Sequence, residues 1–300
     1  MGITMSLMKA LKDRAIFSRR GLKVLDIGSS NLYQADTQSI VEYVSQFGEV
    51  GEASELQAFA ERLSEGSAYD HVKGGLNESF AGELIERCGM SYLSMDIARG
   101  YKTEILDLNH ENLPSRHGES YDVVLNIGTT EHVFNQYNSF KVIHEAARAG
   151  GYMVHQLPAA GYTDHGYFMY AGRMFFELAS YNKYEIVDIW YDGPAGEDDL
   201  YLAAKRYSAS IPLLERLAAS AAARIPNYMI TVIYKKMGNA AFVGMLETST
   251  SVGDIPVTVS SAYASSAIDK LRGALRGSQY LRSRAGAIRR IFRHVGIGRK

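Results

Sequence analysis

Short apolar runs that stop on a glycine or a polar residue alternate with longer stretches of helical periodicity along most of this 300-residue chain. Lys23 to Ile27 (KVLDI) reads as a first strand ending at Gly28-Ser29-Ser30. Ser91 to Ile97 reads as a second, ending in Asp96, and Thr103 to Leu106 as a short third. Tyr121 to Ile127 (YDVVLNI) is a buried fourth strand that breaks at Gly128. Gly151 to Leu157 is a fifth, set between the turn Arg148-Ala149-Gly150 and Pro158. Tyr184 to Tyr191 and Tyr228 to Lys235 complete seven, with a helix expected over Ile211 to Ala223 between them. Strands that alternate with helices build a mostly parallel sheet covered on both faces, so the expected class is α/β.

The spacing also sets the domain plan. Residues 1–21 read as an N-terminal helical segment, and residues 22–240 as the main domain. Residues 31–90 exceed what one crossover helix needs, so they read as a helical insertion, with helices over Gln38 to Phe47 and Ser54 to Ser64 and a turn at Lys73-Gly74-Gly75. Residues 241–263 read as a linker, with a Ser- and Thr-rich stretch over 248–266, leading to a basic tail, 264–300. Thirty-two basic against thirty-three acidic side chains exclude a protein that coats nucleic acid. That balance hides an asymmetry: the tail holds ten Lys or Arg and one acid, Asp269, which leaves the rest of the chain at −10.

Cys88 is the single cysteine, so no internal disulfide and no CxxC motif can form. Lys9, Lys12, Asp13 and Arg14 interrupt the N-terminal region where a secretion signal would be apolar, and no stretch of about 18 apolar residues occurs. A cytoplasmic location is expected, with peripheral attachment to the inner membrane face as the alternative.

In an open parallel sheet, ligands bind outside the carboxyl ends of the strands. Beyond the first strand lie Asp26, Gly28, Ser29 and Ser30, small residues that let a backbone approach a ligand. Asp96 follows the second strand, where a carboxylate can accept from a ribose diol. Asp107 and Leu108 follow the third, where an acid and an N–H can read an adenine edge. Asn126, Gly128, Glu131 and His132 follow the fourth. Together they outline a cradle for adenosine. The dinucleotide fingerprint GxGxxG is absent, and Asp96 comes 68 positions after Gly28 rather than about 20. The phosphate-binding GxxxxGK[ST] and the hydrolase GxSxG are absent as well.

Over residues 22–192, and more loosely to 236, these pieces resemble the class I S-adenosylmethionine-dependent methyltransferases. The resemblance rests on Val24-Leu25-Asp26-Ile27-Gly28 and Asp96. It continues with Asp107, Leu113-Pro114 and Tyr121-Asp122-Val123-Val124, then Glu131-His132-Val133 at a helix start, and the run Glu145 to Pro158. It implies a seven-stranded Rossmann-like methyltransferase sheet and S-adenosylmethionine as cofactor. By position, Gly28, Ser29 and Ser30 would line the methionine part, with Asp26 ordering the loop. Asp96 would take the ribose hydroxyls, Asp107 and Leu108 the adenine, and Asn126 and Gly128 would lie beside the sulfonium. The chain departs from the family at Ser29 and Ser30, where glycines are usual.

Methyl transfer to a hydroxyl needs a base, and histidine suits that role near neutral pH. His165 is the expected base, with Asp164 as orienter, and His132 is the other catalytic candidate. Tyr162, Tyr167, Arg173 and Glu131 are expected to contact substrate. Phe168, Phe175 and Phe176 read as helix core, and His155 as a buried structural residue. Glu131, His132, Asp164 and His165 could converge on Mg²⁺, but nothing in their spacing requires it and no metal is assigned.

Asn126 to Gln136 followed by Asp164-His165-Gly166 is similar to methyltransferases that modify bacterial polysaccharides and sugars, which makes a sugar or glycan hydroxyl the expected acceptor. The alternatives are a catalytically silent cofactor-binding scaffold tethered by its tail, or an RNA or natural-product methyltransferase. In the tail, Ile268, Leu271, Leu275, Leu281, Ile288, Ile291, Phe292 and Val295 recur among arginines, a pattern suited to an anionic membrane surface. Nucleic acid is not the expected partner.

Overall fold

The computed structural model describes residues 2–33, 35–48, 51–68, 78–162, 165–193 and 227–246. The helix expected over Ile211 to Ala223, the turn at Lys73-Gly74-Gly75, Asp164, most of the linker and the whole basic tail lie outside them.

The chain divides into two units, 1–172 with 184–242, and 173–183 with 243–300. In the first, seven strands form one sheet: β2 (Lys23–Ile27), β4 (Ser91–Asp96), β5 (Thr103–Ile105), β6 (Tyr121–Ile127), β7 (Ala147–Ala160), β8 (Tyr184–Asp192) and β9 (Tyr228–Lys236). Their spatial order is β5-β4-β2-β6-β7-β9-β8. The first five run parallel, and β9 is antiparallel to both of its neighbours. This is the Rossmann-like seven-stranded sheet anticipated from the sequence. β2 and β6 are adjacent although the chain leaves β2 toward β4 and β5 and returns on the other side. The order therefore reverses between them, and a crevice opens beyond their carboxyl ends.

The near-continuous apolar character of β2 and β6 follows from burial on both faces: Val24, Leu25, Ile27, Val123, Val124 and Leu125 are all buried. Helix α5 (Gln136–Ala146) begins where the Asn135 side chain accepts from the Asn138 N–H at 3.1 Å and buries Phe140, Val142 and Ile143. At the opposite end of the sheet the Lys236 ammonium is buried and donates to the carbonyls of His144 and Ala147, both at 2.9 Å. Burial lowers its pKa.

The N-terminal segment and the insertion differ from the helical reading. Helix α1 (Met5–Asp13) is present, capped by Thr4, but β1 (Gly2–Thr4) precedes it and pairs in parallel with β3 (Asn31–Tyr33) to form a second, two-stranded sheet. Helices α2 (Thr37–Ser45), α3 (Ala53–Ser67) and α4 (Ala81–Arg87) follow. Ile3, Met8, Leu11, Leu32, Tyr43, Leu63 and Leu84 share one buried cluster with Val24 and Val123 of the large sheet, so these parts are one core. Cys88 is buried in it, and burial pushes its thiol up to about 12.

The second unit contributes helix α6 (Gly172–Asn182) from Arg173 onward, with Phe175 and Leu178 buried. The Asn182 side chain is bonded to both the carbonyl and the N–H of Val243, at 3.0 and 2.8 Å. Phe168 is not part of this helix, as its periodicity suggests; it lies in the loop before it. No described helix is long and apolar enough to cross a membrane.

Candidate active site

Asp26 is the penultimate residue of β2, with its side chain fully buried. Its carboxylate accepts from the Ser30 N–H at 2.7 Å, the Ser30 hydroxyl at 3.1 Å and the Tyr92 hydroxyl at 2.8 Å. Those three bonds fold the segment after β2 into a tight loop. Burial raises the Asp26 pKa, and the hydrogen bonds oppose that rise.

Two positive backbone angles shape the loop, Gly28 at φ 115° and Ser29 at φ 41°. A Cβ on Gly28 would sit 2.0 Å from the Thr129 hydroxyl, so glycine is required there by space as well as by conformation. Ser29 holds the left-handed conformation that glycine usually supplies, and its hydroxyl accepts from the Tyr101 N–H and the Thr103 hydroxyl, both at 3.2 Å. Ser29 thus makes a glycine-like turn.

The neighbouring strand tips stand beside this loop. The Gly28 N–H donates to Met95 in β4 at 2.8 Å, and the Gly128 N–H donates to Gln156 in β7 at 2.9 Å. Asp96 is half-buried at the end of β4. Its Oδ1 accepts from the Ala98 N–H at 3.0 Å, and its Oδ2 takes no hydrogen bond among the described residues. Asp107 is held in a turn, accepting from the Asn109 N–H and pairing with the His110 ring, both at 2.8 Å. The His110 contact holds its carboxyl below the usual range. Leu108 is buried next to it, its carbonyl accepting from Asn138 at 2.9 Å.

Asn126 is fully buried at the tip of β6. Its amide donates to the Thr130 hydroxyl at 3.0 Å and to His155 Nδ1 at 3.1 Å, and its oxygen accepts from the Thr130 N–H at 3.3 Å. His155 is the buried structural residue the alternation suggested, its pKa lowered to about 3 by burial.

Glu131 and His132 do not begin a helix, as the sequence pattern suggests. Thr130–His132 is a single 3-10 turn and α5 starts at Gln136, because the Gln136 side chain turns back and donates to the Thr130 carbonyl at 2.7 Å. Tyr170 secures the same turn through its hydroxyl, bonded to the Thr130 hydroxyl and Gln136 Oε1 at 3.2 and 2.8 Å.

This turn brings three chemically active side chains together. The Glu131 carboxylate is completely buried, and neither oxygen has a hydrogen-bond partner among the described residues. Its Oε1 lies 3.9 Å from His132 Nε2 and 3.8 Å from His165 Nε2. The two imidazoles meet edge to face with centroids 4.8 Å apart. Burial lowers the His132 pKa, partly offset by Glu131.

His165 arrives from 34 positions away because its loop is tied to the turn. The Glu131 carbonyl accepts from Tyr167 at 2.7 Å and from Phe168 at 3.3 Å. Gly166, at φ 75°, lies so close that a Cβ would be 2.8 Å from Glu131 Cγ.

Of the expected substrate contacts, the Tyr162 ring is 5.7 Å from that of His165, while the Tyr167 side chain is exposed. Arg173 belongs to the second unit, where it pairs with Glu177 at 3.6 Å. Asp164, the expected orienter of His165, lies outside the described residues; the carboxylate the structure places beside His165 is Glu131. The sequence reading missed Tyr92, Tyr101 and Tyr170 as organisers of the site, since each acts from a position far from the motif it serves.

No protein-family model matches this sequence, and no curated protein matches it. Among solved structures, the chain is similar to the [4+2]-cyclase SpnF at 12% identity, covering 78% of this chain and 81% of that one, with a TM-score of 0.43. A putative sarcosine dimethylglycine methyltransferase from Galdieria sulphuraria is similar at 11% identity over 78% and 85% of the two chains, TM-score 0.40. Geranyl diphosphate C-methyltransferase from Streptomyces coelicolor A3(2), solved with Mg²⁺, geranyl diphosphate and S-adenosyl-L-homocysteine, is similar at 11% identity over 77% of each chain, TM-score 0.39.

Proposed function

We propose that this chain transfers a methyl group from S-adenosylmethionine to a hydroxyl of a small polar acceptor, a sugar or glycan. The carrying observation is the adjacency of two elements: the loop ordered by Asp26 after β2, and the Glu131, His132 and His165 group in the turn after the neighbouring strand β6. Thr129 joins them, because it touches the Gly28 position and lies two residues before Glu131.

The residues fit the cofactor. The Gly28-Ser29 turn has the left-handed backbone of a tight loop, the Asp96 Oδ2 is available to a ribose diol, and the Leu108 N–H, which makes no hydrogen bond among the described residues, suits an adenine ring nitrogen. When bound, S-adenosylmethionine supplies a methyl group already activated by its sulfonium. The protein's part is to hold an acceptor oxygen in line at about 3 Å and to take its proton. His165 is the base in this reading, and Glu131, 3.8 Å away, steadies the imidazolium that results. Tyr162 offers an aromatic face to the C–H side of a sugar ring.

Turnover with a labelled methyl donor and a panel of free and nucleotide-activated sugars tests the assignment. His165→Ala should slow transfer at least about a hundredfold, a general-base contribution, with cofactor affinity unchanged. Unchanged turnover removes His165 from the chemistry.

A further inference from the structure

Glu131, His132 and His165 each turn one ligand atom toward the others, and all of these atoms lie within 4.8 Å of one another. Glu131 sets this group apart from an ordinary surface cluster. Its carboxylate is completely buried with both oxygens unpartnered among the described residues, an arrangement that is costly unless a cation or donor completes it. The neighbours that face it are two imidazoles, each of which offers a metal ion a nitrogen lone pair when neutral. Donor atoms around a tetrahedral ion at about 2.1 Å stand about 3.4 Å apart. The Glu131 oxygen is 3.9 and 3.8 Å from the two Nε2 atoms and the whole set lies within 4.8 Å, so side-chain movements of about 1 Å close it.

The backbone holds the group in place. The Glu131 carbonyl anchors the loop carrying His165, and Gly166 supplies the close approach that this anchoring needs.

We propose that Glu131, His132 and His165 form a binding site for one divalent transition-metal ion. Two imidazole nitrogens and one carboxylate select zinc, cobalt or iron-class ions over magnesium, which prefers an all-oxygen shell. Three protein ligands leave a position open, as catalytic metal sites do. With His165 Nε2 on the ion, the ion rather than His165 activates the acceptor hydroxyl, which binds at the open position; this last statement modifies the proposed function, whereas the site itself does not rest on it.

The test uses the full chain, stripped with a chelator and titrated with zinc, cobalt and magnesium chlorides by calorimetry, with cobalt followed also by its ligand-field absorption. One zinc or cobalt ion per chain should bind, in preference to magnesium. Glu131→Gln and His132→Ala should each weaken zinc binding by at least about a hundredfold, since loss of even an outer-shell partner costs 10- to 100-fold. His110→Ala, on an exposed ring elsewhere, should leave it unchanged. Circular dichroism checks folding, and if Glu131→Gln does not fold, the half-exposed His132 decides alone.

Zinc binding no tighter in the wild type than in these variants, or a preference for magnesium, overturns the site. S-adenosylhomocysteine titrated into the same samples separates the two readings. Nucleoside binding without metal binding overturns the metal site and leaves the proposed function standing; metal binding without nucleoside binding does the reverse.

Discussion

Replacing Ser29 in two ways dissects the loop after β2, where the proposed function places the cofactor. Ser29 combines a left-handed backbone, φ 41°, with a hydroxyl that accepts from the Tyr101 N–H and the Thr103 hydroxyl. Ser29→Ala keeps the unfavourable angle and removes the acceptor, leaving the Tyr101 N–H unsatisfied in a partly buried setting. The expected loss is about 1–2 kcal/mol. Ser29→Gly removes the same acceptor but relieves the left-handed cost, about 1 kcal/mol for a residue with a Cβ. Glycine should therefore be the milder substitution by about 1 kcal/mol, even though it deletes more atoms. In urea unfolding this corresponds to a midpoint difference of about 0.3–0.5 M, at a slope of about 2–3 kcal/mol/M. Alanine proving as stable as glycine, with equal slopes, would refute the claim that Ser29 carries a left-handed backbone cost.

Four further outcomes follow from buried groups and tight contacts. His144 and His155 are neutral in the fold, with pKa values lowered by burial to about 4 and about 3, and both ionise in the unfolded chain near the ordinary value. Stability should therefore fall as pH drops below about 6.5, by about 1.4 kcal/mol per unit for each ring, or about 4 kcal/mol in total by about pH 5. His155→Phe should halve that slope in urea unfolding measured at several pH values, and an unaltered slope would exclude His155 as a contributor. Asp26→Asn places an amide N–H₂ against the Ser30 and Tyr92 donors and should cost about 2–4 kcal/mol in the same assay; a neutral effect would contradict the loop's dependence on that carboxylate. Gly166→Ala, at φ 75° and 2.8 Å from Glu131 Cγ, should lower turnover far more than cofactor affinity, and wild-type kinetics would show that the His165 loop need not lie so close.

The sheet was legible because its strands are buried on both faces and so read as unbroken apolar runs. Lys23–Ile27 and Tyr121–Ile127 have the boundaries their sequences suggest. Asp96 at the tip of β4 was legible for the same reason, since strand ends mark where polar residues must stand. β1 and β3 were not, because three residues such as Gly2–Thr4 carry no periodicity and gain their pairing only from a distant partner.

Asn126 sits at the tip of its strand as the sequence suggests, and its side chain is held by His155 and Thr130, two neighbours that the strand pattern does not reveal. The helix start at Gln136 was displaced from the Glu131-His132 pattern by a side-chain bond to the Thr130 carbonyl, which no local propensity encodes. Glu131 was read only as a substrate contact or a shared ligand. Its burial against His165 arises from loop packing across 34 positions, where sequence spacing is uninformative.

Titration calorimetry with S-adenosylhomocysteine, on the wild type and on Asp96→Ala, bears most directly on the whole account. Binding near micromolar strength should appear in the wild type and weaken about 10- to 100-fold in Asp96→Ala, the loss expected for charge-assisted hydrogen bonds to a ribose diol. A wild type that releases no heat with this nucleoside, or an Asp96→Ala variant that binds it as tightly as the wild type, would contradict a nucleoside held across the tips of β2, β4 and β6.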